Sequence, residues 1–401
     1  MISDLQATFS SRAHLMKRSA IRECLKLTQQ PGVISFAGGL PAPGTFPVDD
    51  LKAIVAEVLA TDGASVLQYS TTEGDPVLRK LLTQRHQEIG LDITEENLMV
   101  TTASQQSLDF LGKVFVDPGD KVICGLPSYL GGLSAFKVYG AELIGIDFDE
   151  NGMRSDKLEE ILSALKAKGE KPKFIYTIPD FQNPAGISMP RSRRLEIIEI
   201  ARRYDVLIVE DSPYRELRFS GEPIETIYQL DGTGQVILLG SCSKTFLPGF
   251  RIGWLIAAEE ILEKFVTAKQ SADLCTSAFV QRIAARYIEQ GLYDKNLKLI
   301  IDEYREKKDT MLAGFYEHMP EGVSWTKPEG GLFLFLTLPP HLDAEPLFYK
   351  AVEAKVAFII GSVFFCNGGG QNTMRLNFSF VSLEENIEGV KRLAKVIREA
   401  L

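Results

Sequence analysis

The sequence is poor in cysteine and histidine and has no long apolar run, and each scarcity removes a class of protein. Its five cysteines (Cys24, Cys124, Cys242, Cys275 and Cys366) are odd in number and scattered, without a C-x-x-C pair. Neither a disulfide framework nor a thiolate metal site is expected. Four histidines and no H-E-x-x-H leave no metal to expect. No apolar stretch nears the roughly 18 residues of a membrane span, and the opening MISDLQATFS has neither a basic nor an apolar leader region. A cytoplasmic protein with reduced thiols is therefore expected. The formal net charge is -9 and Lys and Arg form no long block, so no nucleic-acid or membrane partner is expected. No G-x-G-x-x-G opens a helix after a strand, which weakens the case for a nicotinamide dehydrogenase.

What remains is an ordinary globular composition over 401 residues, 45% hydrophobic and 24% charged, without internal repeats. From about Leu51 to Gln290, short apolar runs (LMVTT, KVICG, ELIGI, KFIYTI, VLIVED, VILLGS, WLIAA) alternate with helical patterns. That rhythm predicts an α/β fold with a mainly parallel, doubly wound sheet. Its clearest unit runs from KFIYTI through PRSRRLEIIEIARRYD to VLIVED and reads as a βαβ crossover. There Leu195, Ile197, Ile198, Ala201 and Tyr204 form the apolar stripe and the arginines fall largely opposite. From about Tyr293 the character changes. An amphipathic segment, YREKKDTMLAGFYEHM, leads into GGLFLFLTL, VAFII and MRLNFSF, a smaller α+β pattern. We expect a large domain at 47–290 and a small one formed by 1–46 with 291–401. The sequon at Asn377 lies inside an apolar run and reads as chance.

In an open parallel sheet, ligands sit at the carboxyl ends of the strands. After LMVTT, Ala103-Ser104-Gln105-Gln106 opens a helix, either as a plain cap or as a phosphate cradle. After KFIYTI, Asp180-Phe181-Gln182-Asn183-Pro184-Ala185-Gly186 is a turn or a ligand loop. VLIVED ends in Glu210 and Asp211, where a buried carboxylate needs a donor or cation. VILLG runs into Ser241-Cys242-Ser243-Lys244, a lysine flanked by hydroxyls. Phosphate cradle, buried carboxylate and amine together make up the parts of a pyridoxal phosphate site.

SCSKTFLPGFRIGW, FQNPAG, VEDSPYREL and MRLNFS, in this order, resemble the fold-type I, class I/II pyridoxal phosphate-dependent aminotransferases over nearly the whole chain. SFAGGLPAPGTFP, LQYSTTEG and IRECLKLT resemble the 2-aminoadipate and kynurenine aminotransferase (LysN-like) branch. The resemblance implies the transferase fold of that family, pyridoxal 5'-phosphate as cofactor, and a homodimer with shared active sites. It implies amino transfer from an L-amino acid (2-aminoadipate, glutamate, aromatic or branched-chain) to a 2-oxo acid, 2-oxoglutarate foremost. It implies Lys244 as the cofactor-binding lysine and base, Asp211 as partner of the ring nitrogen, and Tyr129 stacked on the ring. Asn183 and Tyr214 would hold the phenolic oxygen, and Ser104, Gln105, Ser241, Ser243 and Arg251 the phosphate, with Tyr69 reaching the neighbouring subunit's phosphate. Arg375 would bind the substrate α-carboxylate, aided by Asn183 and Gly39, and Arg22 an acidic side chain. Ser212 stands where many relatives have a second acid. β-Elimination or decarboxylation at the same site stays open. A DNA-binding regulator of this fold is disfavoured, because the chain opens directly on the arm.

Overall fold

The computed structural model describes residues 5–16 and 30–401; the expected helix SAIRECLKLTQ and its Arg22 lie outside the described residues. Strand β1 (Ile34–Ser35) comes first. Then follow β2 (Leu98–Thr102), β3 (Lys121–Leu126), β4 (Glu142–Asp149), β5 (Gly152–Met153), β6 (Phe174–Thr177), β7 (Leu207–Asp211), β8 (Val236–Ser241) and β9 (Ile252–Ile256). These eight make one sheet in the order β2-β9-β8-β7-β6-β3-β4-β5. Its centre, from β8 to β4, is parallel throughout, because a helix-bearing connection separates each strand from the next. The edges depart from the parallel expectation: β9 runs antiparallel to both β2 and β8, and β5 forms an antiparallel pair with β4. Between β8 and β9 only a short loop intervenes, and a short loop can join only antiparallel neighbours.

The later strands, β10 (Ser324–Trp325), β11 (Phe333–Thr337), β12 (Val356–Ala357), β13 (Ile359–Ile360) and β14 (Thr373–Asn377), are all brief except β11 and β14. Four of them form an antiparallel sheet in the order β10-β11-β14-β13, and β12 instead pairs in parallel with β1. That pairing stitches the arm before residue 47 to the end of the chain. The long helices Leu292–His318 and Leu383–Arg398 cover this sheet through Ile300, Tyr304, Met311, Phe315, Val390 and Leu393, all buried. No described helix is long and apolar enough to cross a membrane. The described cysteines are all free, although the Cys124 and Cys366 sulfurs lie 3.5 Å apart.

The βαβ unit forms as expected, with β6 parallel to β7 and the helix Arg191–Arg203 between them. Its apolar face keeps Ile197, Ile198, Ala201 and Tyr204 and departs from the expected stripe at one turn. Leu195 is exposed, and Arg194 is wholly buried beside Ile197, Ile198 and Ala201. Arg194 is tolerated there because its donors are met: Nε by Met189 O at 2.9 Å, Nη1 by Glu225 O at 2.9 Å and Nη2 by Asp180 Oδ1 at 2.6 Å. Periodicity alone assigns arginine to water, so it misses this pair.

Removing one partner leaves the other charge buried and unpaired. Arg194→Met should destabilise the protein by about 3–5 kcal/mol. Adding Asp180→Leu should recover part of that loss in denaturant titrations. Equal stability of wild type and Arg194→Met would show the pair to be unimportant.

Candidate functional site

The register sets the ends of the central strands level. Thr177 pairs with Glu210, and Asp211 with Leu239, so the polar strings that follow β6, β7 and β8 share one edge. Strand alternation separates the two adjacent carboxylates. Glu210 turns away and accepts from Tyr228 N at 2.9 Å and Ser212 Oγ at 3.3 Å. Asp211 turns toward Tyr176, whose hydroxyl donates to its Oδ2 at 2.7 Å, while the buried Oδ1 has no partner. Burial pushes the Asp211 carboxyl up to about 7, against the pull of the Tyr176 bond.

After β8 the chain turns at Ser241 and presents Lys244, whose amine donates to Gly39 O at 2.7 Å. Burial, with Arg375 and Arg251 nearby, lowers that amine to about 8. Arg375 comes from β14 of the other sheet and is buried. Its Nη1 donates to Asn183 Oδ1 at 2.9 Å and its Nη2 to Ala37 O at 2.8 Å, leaving Nε unpaired. The guanidinium lies 4.3 Å from the Phe333 ring centre and 5.2 Å from that of Phe364. Burial lowers it to about 10, which still leaves it charged at neutral pH. Asn183 Nδ2 donates to the Tyr214 hydroxyl at 3.1 Å, so the Tyr214 proton is free to point elsewhere.

At the far end of the site the helix Ala103–Phe115 begins, its first N–H groups unpaired within the helix as at any N-terminus. Ala103 and Arg251 both hold left-handed backbone, φ 61° and 53°, and Ala103 N donates to Arg251 O at 2.9 Å. Two non-glycine residues in that region store strain of order 1–2 kcal/mol each. Gly253 is required beside them, since a Cβ there would lie 2.5 Å from Ser104 N. Gln106 Oε1 accepts from Thr102 N and from the buried Lys269 amine, both at 2.9 Å, and pins the turn. Arg251 Nη1 reaches Ser243 Oγ at 3.4 Å, and Ser243 N donates to Ser241 Oγ at 3.1 Å. Gln105 spans to Gly131 O at 3.2 Å and accepts from the Tyr129 hydroxyl at 3.4 Å.

The structure thus gathers Lys244, Asp211, Tyr129, Asn183, Tyr214, Arg375 and Gly39 around one pocket, with Ser104, Gln105, Ser241, Ser243 and Arg251 at its end. Tyr69 does not join them within this chain and stands 78% exposed. Tyr176, Phe333, Phe364 and the Ala37 carbonyl were not anticipated. Only Tyr176 left a signal, a phenol hydroxyl in a buried strand that must find a partner. The unpaired Asp211 Oδ1 suits a protonated ring nitrogen, the strained helix start with Arg251 and the serines suits a phosphate, and Lys244 suits an aldehyde. The residues present fit pyridoxal 5'-phosphate.

Residues 37–393 match the family model described as aminotransferase class I and II. The chain is 48% identical to the aromatic-amino-acid aminotransferase 1 of Thermococcus litoralis over 99% of its own length and 96% of that protein's. It superposes on Pyrococcus horikoshii kynurenine aminotransferase, solved with PMP, with a TM-score of 0.96 at 44% identity, covering 100% and 99% of the two chains. On LysN, the α-aminoadipate aminotransferase of Thermus thermophilus complexed with N-(5'-phosphopyridoxyl)-L-leucine, the TM-score is 0.91 at 38% identity, covering 99% and 98%.

The raised Asp211 pKa makes a test on the cofactor-free protein. Between the unfolded value of 3.8 and about 7, the folded chain holds a proton that the unfolded chain has lost. Stability from this group is therefore full below the lower value and declines as pH rises, at up to about 1.4 kcal/mol per pH unit. Thermal melts of the cofactor-free enzyme across that window should fall more steeply for wild type than for Asp211→Asn. Parallel slopes would mean that Asp211 is ionised at neutral pH.

Proposed function

The chain belongs to the class I and II aminotransferases, and within that family we propose that it moves the amino group of an aromatic amino acid or of 2-aminoadipate to 2-oxoglutarate. The enzyme's cofactor is pyridoxal 5'-phosphate. The observation that carries the reading is the convergence of Lys244, Asp211 and Arg375, from two sheets, on one pocket. The donor range is supported by the relatives: an aromatic-amino-acid aminotransferase, a 2-aminoadipate transaminase and a kynurenine aminotransferase.

When bound, the cofactor supplies a sink for the electrons of an amino acid's Cα–H bond. The chain supplies the rest. The Lys244 amine, at about 8, is neutral in a useful fraction of molecules and can take the Cα proton and return it. Asp211 would hold the proton of the ring nitrogen, and Tyr129 would lie against the ring. Tyr214, oriented by Asn183, would donate to the phenolic oxygen. The start of the Ala103–Phe115 helix, with Ser104, Gln105, Ser241, Ser243 and Arg251, would hold the phosphate. Arg375 holds the substrate carboxylate by its fork, fixed in place by Asn183 and Ala37, with Gly39 beside it. The division into 47–290 and 1–46 with 291–401 is supported by the two separate sheets and by the β1–β12 pairing. The exposed Tyr69 supports a homodimer in which it reaches the partner's phosphate, and sedimentation equilibrium on the holoenzyme reads the stoichiometry.

Donor and acceptor must use the same carboxylate site in turn. Arg375→Ala should therefore raise KM for phenylalanine or 2-aminoadipate and for 2-oxoglutarate alike, by about tenfold to a hundredfold, the worth of a charged hydrogen bond. A rise for one partner alone would place the other's carboxylate elsewhere. Failure of 2-oxoglutarate, among a panel of 2-oxo acids, to accept the amino group would overturn the assigned acceptor.

A further inference from the structure

A second cavity, of about 320 Å³, lies among the helix Pro76–Glu88, the middle of β8 and β9, and the junction of the helices Ala278–Glu289 and Leu292–His318. It sits on the other face of the large sheet from the site above. Its walls, Leu82, Leu238 and Trp254, belong to the apolar cluster of that face, whereas Asp211 bonds to Tyr176 in the cluster of the opposite one. The volume falls in the range of small-molecule pockets.

Its charges are not all settled. Arg85 is paired twice, with Glu216 at 2.8 Å and Asp294 at 2.9 Å, and the Tyr293 hydroxyl donates to Glu216 at 2.7 Å. Glu88 stands exposed at the rim. Arg215 differs. Its Nη2 donates to Ile224 O at 3.0 Å, its Nε is buried without a partner, and it forms no ion pair with a carboxylate among the described residues. In the same wall the Trp254 indole N–H and His86 Nδ1 are also buried without partners. His86 adds no charge, because burial, with Arg215 and Arg85 near, lowers it to about 3. A guanidinium without a carboxylate partner, an unpaired indole donor and apolar walls together select an anion with an apolar body.

We propose that this cavity is a second binding site, for a small monocarboxylate whose carboxylate pairs with Arg215 and whose apolar body lies against Leu82, Leu238 and Ile288. The site is separate from the catalytic pocket but adjoins its supports: the Tyr293 hydroxyl that meets Glu216 also lies 2.7 Å from Thr245 Oγ1, one residue beyond Lys244.

The chain has two tryptophans, which gives a direct readout. Trp254 lines the cavity, while Trp325 packs on Phe315 and Tyr316 against the small sheet. The holoenzyme carrying 5-fluorotryptophan, its two resonances assigned with Trp325→Phe, is titrated with 3-phenylpropionate. The Trp254 resonance should shift saturably at millimolar probe, with Trp325 unmoved. Arg215→Met should weaken the response about tenfold or more, and Arg375→Lys should leave it intact, since that arginine serves the catalytic pocket. If the Trp325 resonance or a melt shows Arg215→Met to be misfolded, Ile288→Phe fills the cavity from its helix wall and should abolish the shift. No shift, or a shift lost with Arg375→Lys and kept with Arg215→Met or Ile288→Phe, would overturn the proposal.

Discussion

Two guanidiniums, that of the buried Arg375 and that of the exposed Arg251, both act on the Lys244 amine, and the buried carboxylate of the same site, Asp211, is itself biased toward its neutral form. Like charges gathered where water is scarce are unfavourable unless anions join them. The arrangement is therefore complementary to ligands that bring negative charge, a phosphate near Arg251 and a carboxylate at Arg375. The same burial sets the reactivity. Lys244 falls to about 8 because a charged amine is poorly solvated there and two guanidiniums lie near it, and an amine near neutral can move protons at physiological pH.

Holding these groups together requires rigidity in the scaffold. The parallel register levels the ends of β6, β7 and β8, which puts Asp211 and Lys244 on one edge. The strained turn at Ala103 and Arg251 is held by Lys269 through Gln106, and by the absence of a side chain at Gly253. Arg375 is placed by a different sheet, and its fork is fixed by one side chain and one carbonyl, Asn183 and Ala37, from opposite ends of the chain. The carboxylate position thus depends on how the small sheet and the arm sit against the large one.

Much of this was legible in the sequence because parallel-sheet sites concentrate their chemistry where apolar runs end. Lys244, Asp211 and Ser104 each follow such a run. Periodicity separates face from face only when polar residues go to water, so it failed at Arg194, whose partner Asp180 lies in a turn with no pattern of its own. It could not choose between Glu210 and Asp211 either, since that choice rests on which face Tyr176 occupies. The antiparallel edge β9 was hidden because an apolar run carries no direction. The rings of Phe333 and Phe364 over Arg375 come from tertiary packing that no spacing encodes.

The account stands on Lys244 being the residue that binds the cofactor, with the other groups arranged around it. Borohydride reduction of the holoenzyme, followed by proteolysis and mass mapping, reads that attachment directly. The pyridoxyl label should fall on the peptide containing Ser243-Lys244-Thr245, at Lys244. A label on any other lysine would contradict the arrangement derived for this site.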